Sequence, residues 1–137
     1  MRISLDTGAV CPTRAHPSDA GLDIHSPREA VVCAHDSLVI PTGVHVELPP
    51  CTAGLVVSKS GLLTNHGITS TGLIDEGYDG EIVVTLINHS NEDYHIYRGD
   101  KITQLVVFPV MYPIIELVDK IDTGSARGSR GFGSSGK

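Results

Sequence analysis

The sequence predicts an all-β domain, a β-sandwich or barrel of the jelly-roll kind, and three observations carry that expectation. Short apolar runs of period two recur along the chain, each broken by Pro, Gly, Asn or Asp, as many short strands require. Only one short stretch looks capable of forming a helix. The composition is 40% apolar but only 4% aromatic, with no tryptophan, so the core has to be made of Val, Ile and Leu. A length of 137 residues suits one domain with a moderate core.

In chain order, strands are expected at 3–5 and 30–34, then where Val44, Val46 and Leu48 alternate with His45 and Glu47 as a half-buried strand. A strand at 55–57 precedes 60–65, the single candidate helix. Ile82, Val84 and Leu86 alternate with Val83, Thr85 and Ile87, which are also apolar or neutral, so that strand is expected to be covered on both faces. Strands at 94–97 and 101–108 complete the set. Turn chemistry separates them at 41–43 (Pro41-Thr42-Gly43), 49–50, 88–91 and 98–100. Arg98-Gly99-Asp100 spells an adhesion tripeptide, but between two apolar strands it reads as a hairpin turn. There is no internal repeat.

Charge narrows the partners. The net charge of −6 and pI near 5.5 argue against general affinity for nucleic acid or anionic membranes. No apolar run approaches the roughly 20 residues of a membrane span, and the N-terminus has no signal-peptide pattern. A soluble, unprocessed protein of the cell interior is expected: the cytoplasm, or the nucleus or a virus-infected cell for a non-bacterial source. Cys11, Cys33 and Cys51 form no C-x-x-C pair, which suits reduced thiols. The seven histidines show no metal-ligand spacing.

The tail differs from the body. Residues 123–137 carry Arg127, Arg130 and Lys137 and no acid, whereas the rest holds seven basic and sixteen acidic side chains. Gly131, Gly133 and Gly136 free backbone N–H groups for phosphate oxygens, Phe132 offers a flat ring, and Arg127 a phosphate fork. A plain Gly/Ser linker has the same composition. The run from Gly131 to Lys137 matches G-x-G-x-x-G and the start of a Walker A sequence. Both patterns need a helix afterwards, and none is expected past Lys137.

Four internal segments place small residues beside polar ones where a plain strand wants neither. They are Ala20-Gly21-Leu22-Asp23-Ile24, Ser58-Lys59-Ser60-Gly61-Leu62, the run from Gly72 through Asp75 and Tyr78 to Glu81, and Arg98-Gly99-Asp100-Lys101-Ile102-Thr103-Gln104-Leu105. With the tail they make five motifs. In order and spacing this set resembles the trimeric dUTP pyrophosphatase (dUTPase) family over residues 18–136.

The resemblance implies a homotrimeric jelly-roll-like barrel of residues 1–122 with a flexible arm, 123–137, that closes over a site built from three chains. It implies hydrolysis of dUTP to dUMP and pyrophosphate, with Asp75 contacting the 3′-OH and activating the water that attacks the α-phosphorus. Tyr78 would exclude a 2′-OH. Uracil would be read by main-chain groups at Thr69, Gly72, Leu73 and Val83, with Ile74 lining the site, because backbone donors and acceptors can imitate a base pair. Gly72 and Gly80 would let the backbone approach the ligand closely. Lys59, Ser60 and Gly61 would grip the β- and γ-phosphates; the family usually has arginine at Lys59, and lysine keeps the charge without the planar fork. Gln104 would lie near the α-phosphate. From the arm, Phe132 would stack on uracil, Arg127 would hold the γ-phosphate, and Gly133 and Ser134 would donate hydrogen bonds. Magnesium would bind mainly through substrate oxygens, with Asp23 reaching it through water.

Two other readings compete. A dCTP deaminase shares the barrel and much of the third motif, but carries a glutamate where this chain has Thr85. A dUTP-sensing regulatory protein on the same fold is the second; the presence of Asp75, Tyr78 and Phe132 favours catalysis over it.

Overall fold

A computed structural model describes residues 1–121 and 124. The strands are β1 (Arg2–Leu5), β2 (Gly21–His25), β3 (Ala30–Val32), β4 (Ser37–Glu47), β5 (Thr52–Val57), β6 (Ile68–Ile74), β7 (Glu81–Asn88), β8 (Tyr94–Ile96) and β9 (Lys101–Pro109). One helix, α1 (Ser60–His66), interrupts them. The all-β expectation holds, and the architecture is jelly-roll-like. Seven strands form one sheet in the order β1-β4-β7-β6-β5-β9-β2, and β3 pairs with β8 in a second. Each pairing within these sheets is antiparallel.

The core is aliphatic, as the composition requires. Ile24, Ile40, Val44, Ile82, Val84, Leu86, Ile96, Ile102 and Leu105 are essentially inaccessible to solvent. Burial of such side chains at about 1.5–3 kcal/mol each is the main term holding the layers together. The helix follows the expected 60–65 and runs one residue further, to a left-handed Gly67 at φ 66° whose N–H caps Leu62 and Leu63 carbonyls. Among the described residues no helix is long and apolar enough to cross a membrane.

Three expectations are corrected. Pro41-Thr42-Gly43 does not end a strand but lies within β4, where the register against β7 shifts between Pro41 and His45. The bulge survives because side chains replace the missing ladder bonds: Thr42 Oγ1 donates to the Ile82 carbonyl at 2.6 Å and the Glu81 carboxylate accepts the Gly43 N–H. Gly43 is required there, with φ 66° and a Cβ position 2.8 Å from that of Ala9.

Strand β7 is covered on one face only. Ile82, Val84 and Leu86 are buried while Val83, Thr85 and Ile87 are exposed, so one chain supplies a single packing surface to a strand that is apolar on both sides. Arg98-Gly99-Asp100 is a turn, with the Asp100 N–H on the Tyr97 carbonyl at 3.0 Å. It is not a hairpin, because β8 pairs with β3 whereas β9 pairs with β2 and β5.

Candidate active site

The residues singled out by sequence fall into two groups at opposite ends of the β5–β6 pair. At one end Asp23 on β2 lies opposite Gln104 on β9. Asp23 is 3% exposed, and its carboxylate takes three donors. Lys59 Nζ lies 3.0 Å and Gln104 Nε2 3.2 Å from Oδ1, and Lys101 Nζ lies 2.7 Å from Oδ2. Burial alone would raise the Asp23 pKa, but hydrogen bonds from Lys101, Lys59 and Gln104 outweigh it and hold the group at about 2. Gly21 makes room for this arrangement, since a Cβ there would sit 2.8 Å from Gln104 Oε1.

Local packing fixes the turn that carries Lys59. Ser58 Oγ donates to the Ser70 carbonyl at 3.0 Å and accepts the Ser70 N–H at 2.9 Å, tying the end of β5 to β6. Beneath it the buried Ser70 and Thr103 hydroxyls meet at 2.7 Å, and Thr103 donates to the Val57 carbonyl at 2.8 Å. Ser60 is exposed at the start of α1, and a Cβ at Gly61 would meet open space. Nearby His25 is buried with no partner for Nδ1 among the described residues. Burial and the Lys101 charge lower its pKa, so it stays neutral beside the lysines.

The other end is a fork. Strands β6 and β7 pair only at Ile68↔Asn88, Thr69↔Ile87 and Ser70↔Leu86. Beyond that, β6 pairs through its other edge with β5, at Val56↔Gly72 and Leu55↔Leu73, while β7 stays paired with β4. The facing edges of β6 and β7 therefore diverge and leave main-chain donors and acceptors available between them. A cavity of about 320 Å³ opens there, lined by Leu73, Ile74, Asp75, Tyr78, Glu81 and Val83.

Five of the expected site residues are thus brought together: Leu73, Ile74, Asp75, Tyr78 and Val83. Gly72 sits on the same strand, two residues from Ile74. Thr69 does not line this cavity; it lies in the closed part of the ladder with its hydroxyl 2.8 Å from His89 Nε2. The Asp75 side chain is exposed and makes no hydrogen bond or ion pair among the described residues, so it is free to meet a ligand or a water. Tyr78 folds back over Gly80, its hydroxyl donating to the Glu81 carbonyl at 3.0 Å. A Cβ at Gly80 would lie 2.4 Å from Tyr78 Oη, so this glycine admits the tyrosine ring rather than a ligand.

Several residues the sequence reading missed hold this turn. Glu76 Oε2 accepts the Tyr112 hydroxyl at 2.6 Å and the Cys51 N–H at 2.9 Å. That contact lowers the Glu76 pKa and pushes Tyr112 up to about 12. His45 Nδ1 lies 3.0 Å from the Asp79 carbonyl and Nε2 3.3 Å from Asp6, both of which raise its pKa. Lys101 stands inside the fourth motif, where the sequence reading gave it no role of its own.

Ser58 lies beside Ser70, and Asp75 is five residue steps further along the chain from Ser70, about 17 Å at ~3.3 Å per step. One chain therefore keeps Asp75 away from Lys59 and Gln104. Arg127, Phe132, Gly133, Ser134 and the arm boundary at 122/123 lie outside the described residues. Among those described, no group of three or more His, Cys, Asp or Glu could hold a metal ion.

Comparison with known proteins bears on the family and the fold. The dUTPase family model matches residues 7–136. A deoxyuridine 5′-triphosphate nucleotidohydrolase of Clostridium acetobutylicum is 45% identical over 135 residues, 96% of this chain and 92% of the relative. That of Tropheryma whipplei is 44% identical, covering 95% and 91%. Among solved structures, a Staphylococcus bacteriophage 80alpha dUTPase with dUpNHpp superposes with TM-score 0.91 at 30% identity, covering 99% of this chain and 98% of that one. A mutant dUTPase from phage phi11 of S. aureus, described as coordinating a structural Mg(II) ion, gives TM-score 0.79 at 29% identity, covering 87% and 96%. With five motifs in order, the forked β6–β7 strands and these matches along nearly its whole length, the chain belongs to the dUTPase family.

Proposed function

We infer that this protein is a dUTP diphosphatase, and the observation that carries the inference is the β6–β7 fork with Asp75 at its mouth. A pyrimidine entering the cavity of about 320 Å³ would meet diverging strand edges on both sides. Main-chain groups at Gly72, Leu73 and Val83 then read the uracil edge, and cytosine leaves them mismatched. Tyr78, held over Gly80, places its ring where a ribose 2′-OH would go. Asp75 takes the 3′-OH and removes a proton from a water that attacks the α-phosphorus. The bond to the bridging oxygen breaks, giving dUMP and pyrophosphate.

Lys59, Ser60 and Gly61 hold the β- and γ-phosphates, and Gln104 lies near the α-phosphate. Magnesium, bound mainly through triphosphate oxygens, would neutralise charge developing on the leaving pyrophosphate. Both Asp23 oxygens already take lysine ammonium groups, which suits a role for Asp23 through water better than direct coordination. Arg127, Phe132, Gly133 and Ser134 close over the bound nucleotide and exclude water.

The site is completed in a homotrimer. Strand rise puts Asp75 about 17 Å beyond Ser70, which is tied to Ser58 beside Lys59, so the fork of one copy has to meet the phosphate grip of another. Val39, Val83 and Ile87 form an exposed apolar strip on β4 and β7, and Met111, Ile114, Ile115 and Leu117 beyond β9 are almost fully exposed. Surfaces of this kind call for a partner chain. We assign the protein to the cell interior, where the nucleotide pool lies, with roles in keeping uracil out of DNA and supplying dUMP. No specific feature favours a regulatory or deaminase reading.

The test is pyrophosphate release with Mg²⁺ from dUTP, dCTP, dTTP and UTP in parallel. Release from dUTP alone is expected; equal release from all four, or none, contradicts the proposal.

A further inference from the structure

Resting on the dUTPase reading, we propose that Lys101 is a positioning residue of the triphosphate site: by holding Asp23 it lets Lys59 leave that carboxylate for a phosphate. Two cations share one buried anion here, so the cluster carries a surplus positive charge. Neutral His25 does not alter that balance. A surplus cation beside the proposed phosphate grip is suited to an incoming anion.

The distribution of contacts decides which lysine moves. Among the described residues, Lys59 and Gln104 share Oδ1, while Lys101 alone occupies Oδ2. If Lys59 departs, Gln104 still satisfies Oδ1 and Lys101 still satisfies Oδ2. If Lys101 departed, Oδ2 would be left without a donor inside a site where the Asp23 side chain is only 4% exposed. Lys59 also stands immediately before α1, next to Ser60 and Gly61, on the side where phosphates are expected. Lysine suits such an exchange, being a single ammonium on a flexible stem rather than a planar fork bound at two points.

Backbone geometry aims Lys101 at this task. The β2–β9 register slips between Ile24 and His25, which pair with Thr103 and Lys101 respectively, so Ile102 is the extra residue of a bulge. Ile102 and Thr103 are consecutive buried residues as a result. The bulge breaks the strict alternation along β9, and Lys101 joins Gln104 on Asp23. Without Lys101, Lys59 would be the only cation among the described residues compensating a buried carboxylate, and its departure would strand that charge.

The experiment compares wild type, Lys101→Met and Lys101→Arg, with steady-state kinetics on dUTP and calorimetric binding of dUpNHpp and dUMP. Lys101→Met is expected to raise KM and weaken dUpNHpp about tenfold, with kcat and dUMP affinity little changed, because dUMP makes no call on Lys59. Lys101→Arg should restore wild-type binding. In an Asp23→Asn background, adding Lys101→Met should leave dUpNHpp affinity unchanged, since Lys59 then has no carboxylate to leave. Equal weakening of dUpNHpp and dUMP, no weakening of either, or an undiminished effect in the Asp23→Asn background would overturn the assignment. Should Lys101→Met fail to fold, Lys101→Gln keeps a donor for Asp23 without the charge and is judged by the same binding comparison. Wild type that hydrolyses dUTP while these results fail leaves the dUTPase reading standing; wild type that does not hydrolyse dUTP removes that reading itself.

Discussion

Asp23 and Asp75 are both carboxylates on which the proposed reaction depends, and the protein treats them in opposite ways. Asp23 is 3% exposed in the middle of paired strands and accepts hydrogen bonds from two lysines and an amide. Asp75 projects from a turn into solvent, and the contacts that fix it belong to its neighbours: Glu76 on Tyr112 and the Cys51 N–H, and the Asp79 carbonyl on His45. A carboxylate that organises cations has to be buried and ionised. One that takes a proton from water has to remain accessible and unpaired until substrate arrives. The contrast accounts for the two ends of the site being built from different materials, strand centres at one and a stapled turn at the other.

The largest test of that contrast is Asp75→Asn. Removing the proposed general base should lower kcat by about 10²–10⁴-fold, with the thermal midpoint close to wild type, because this exposed side chain makes no hydrogen bond or ion pair among the described residues. A large fall in thermal stability would show that Asp75 is structural after all, and the two carboxylates would no longer differ in kind.

Gly80→Ala probes the turn with a smaller effect. The new Cβ would fall 2.4 Å from Tyr78 Oη, so the ring has to leave the Glu81 carbonyl. Discrimination between dUTP and UTP should fall about tenfold, measured as the ratio of kcat/KM values. Unchanged discrimination would remove Tyr78 from sugar selection.

The smallest effect sharpens the Asp23 side. Its pKa is depressed from an ordinary 3.8 to about 2, so it contributes stability above about pH 4 that is lost as pH falls through about 2. Urea unfolding of wild type and Asp23→Asn should therefore show a gap at pH 6 that narrows as pH approaches 2. A gap independent of pH would mean that the ion pairs contribute nothing to folding.

Much of the fold was legible because its signals are local. The alternation of Val44, Val46 and Leu48 against His45 and Glu47 places one strand and its buried face, and the one helix among the described residues, Ser60 to His66, begins where 60–65 was expected to form it. Glycine, proline and asparagine mark most chain reversals for the same reason. Local chemistry misled where tertiary partners substitute for it. Pro41-Thr42-Gly43 looks like a break, and only Glu81 and the Ile82 carbonyl, some forty residues away, keep the strand intact.

The site divides along the same line. Asp75, Tyr78, Lys59 and Gln104 could be named from motif spacing, because each motif is a short segment. Lys101 could not be assigned to Asp23 from sequence, since strict alternation gives no reason for it, and the bulge at Ile102 is set by pairing with β2. Glu76, Tyr112 and His45 escaped notice because their contacts join residues 34 to 39 positions apart or bond to backbone atoms. The sequence by itself determined which residue types are present, their local conformation and the family pattern they compose. The tertiary structure alone decided that β6 changes partners after Ser70, opening the fork, and that Asp75 and Lys59 stand at opposite ends of one chain. The physical reason is that strand register and side-chain direction are fixed by what lies across the sheet, and the identity of that neighbour is not written in any local stretch of residues.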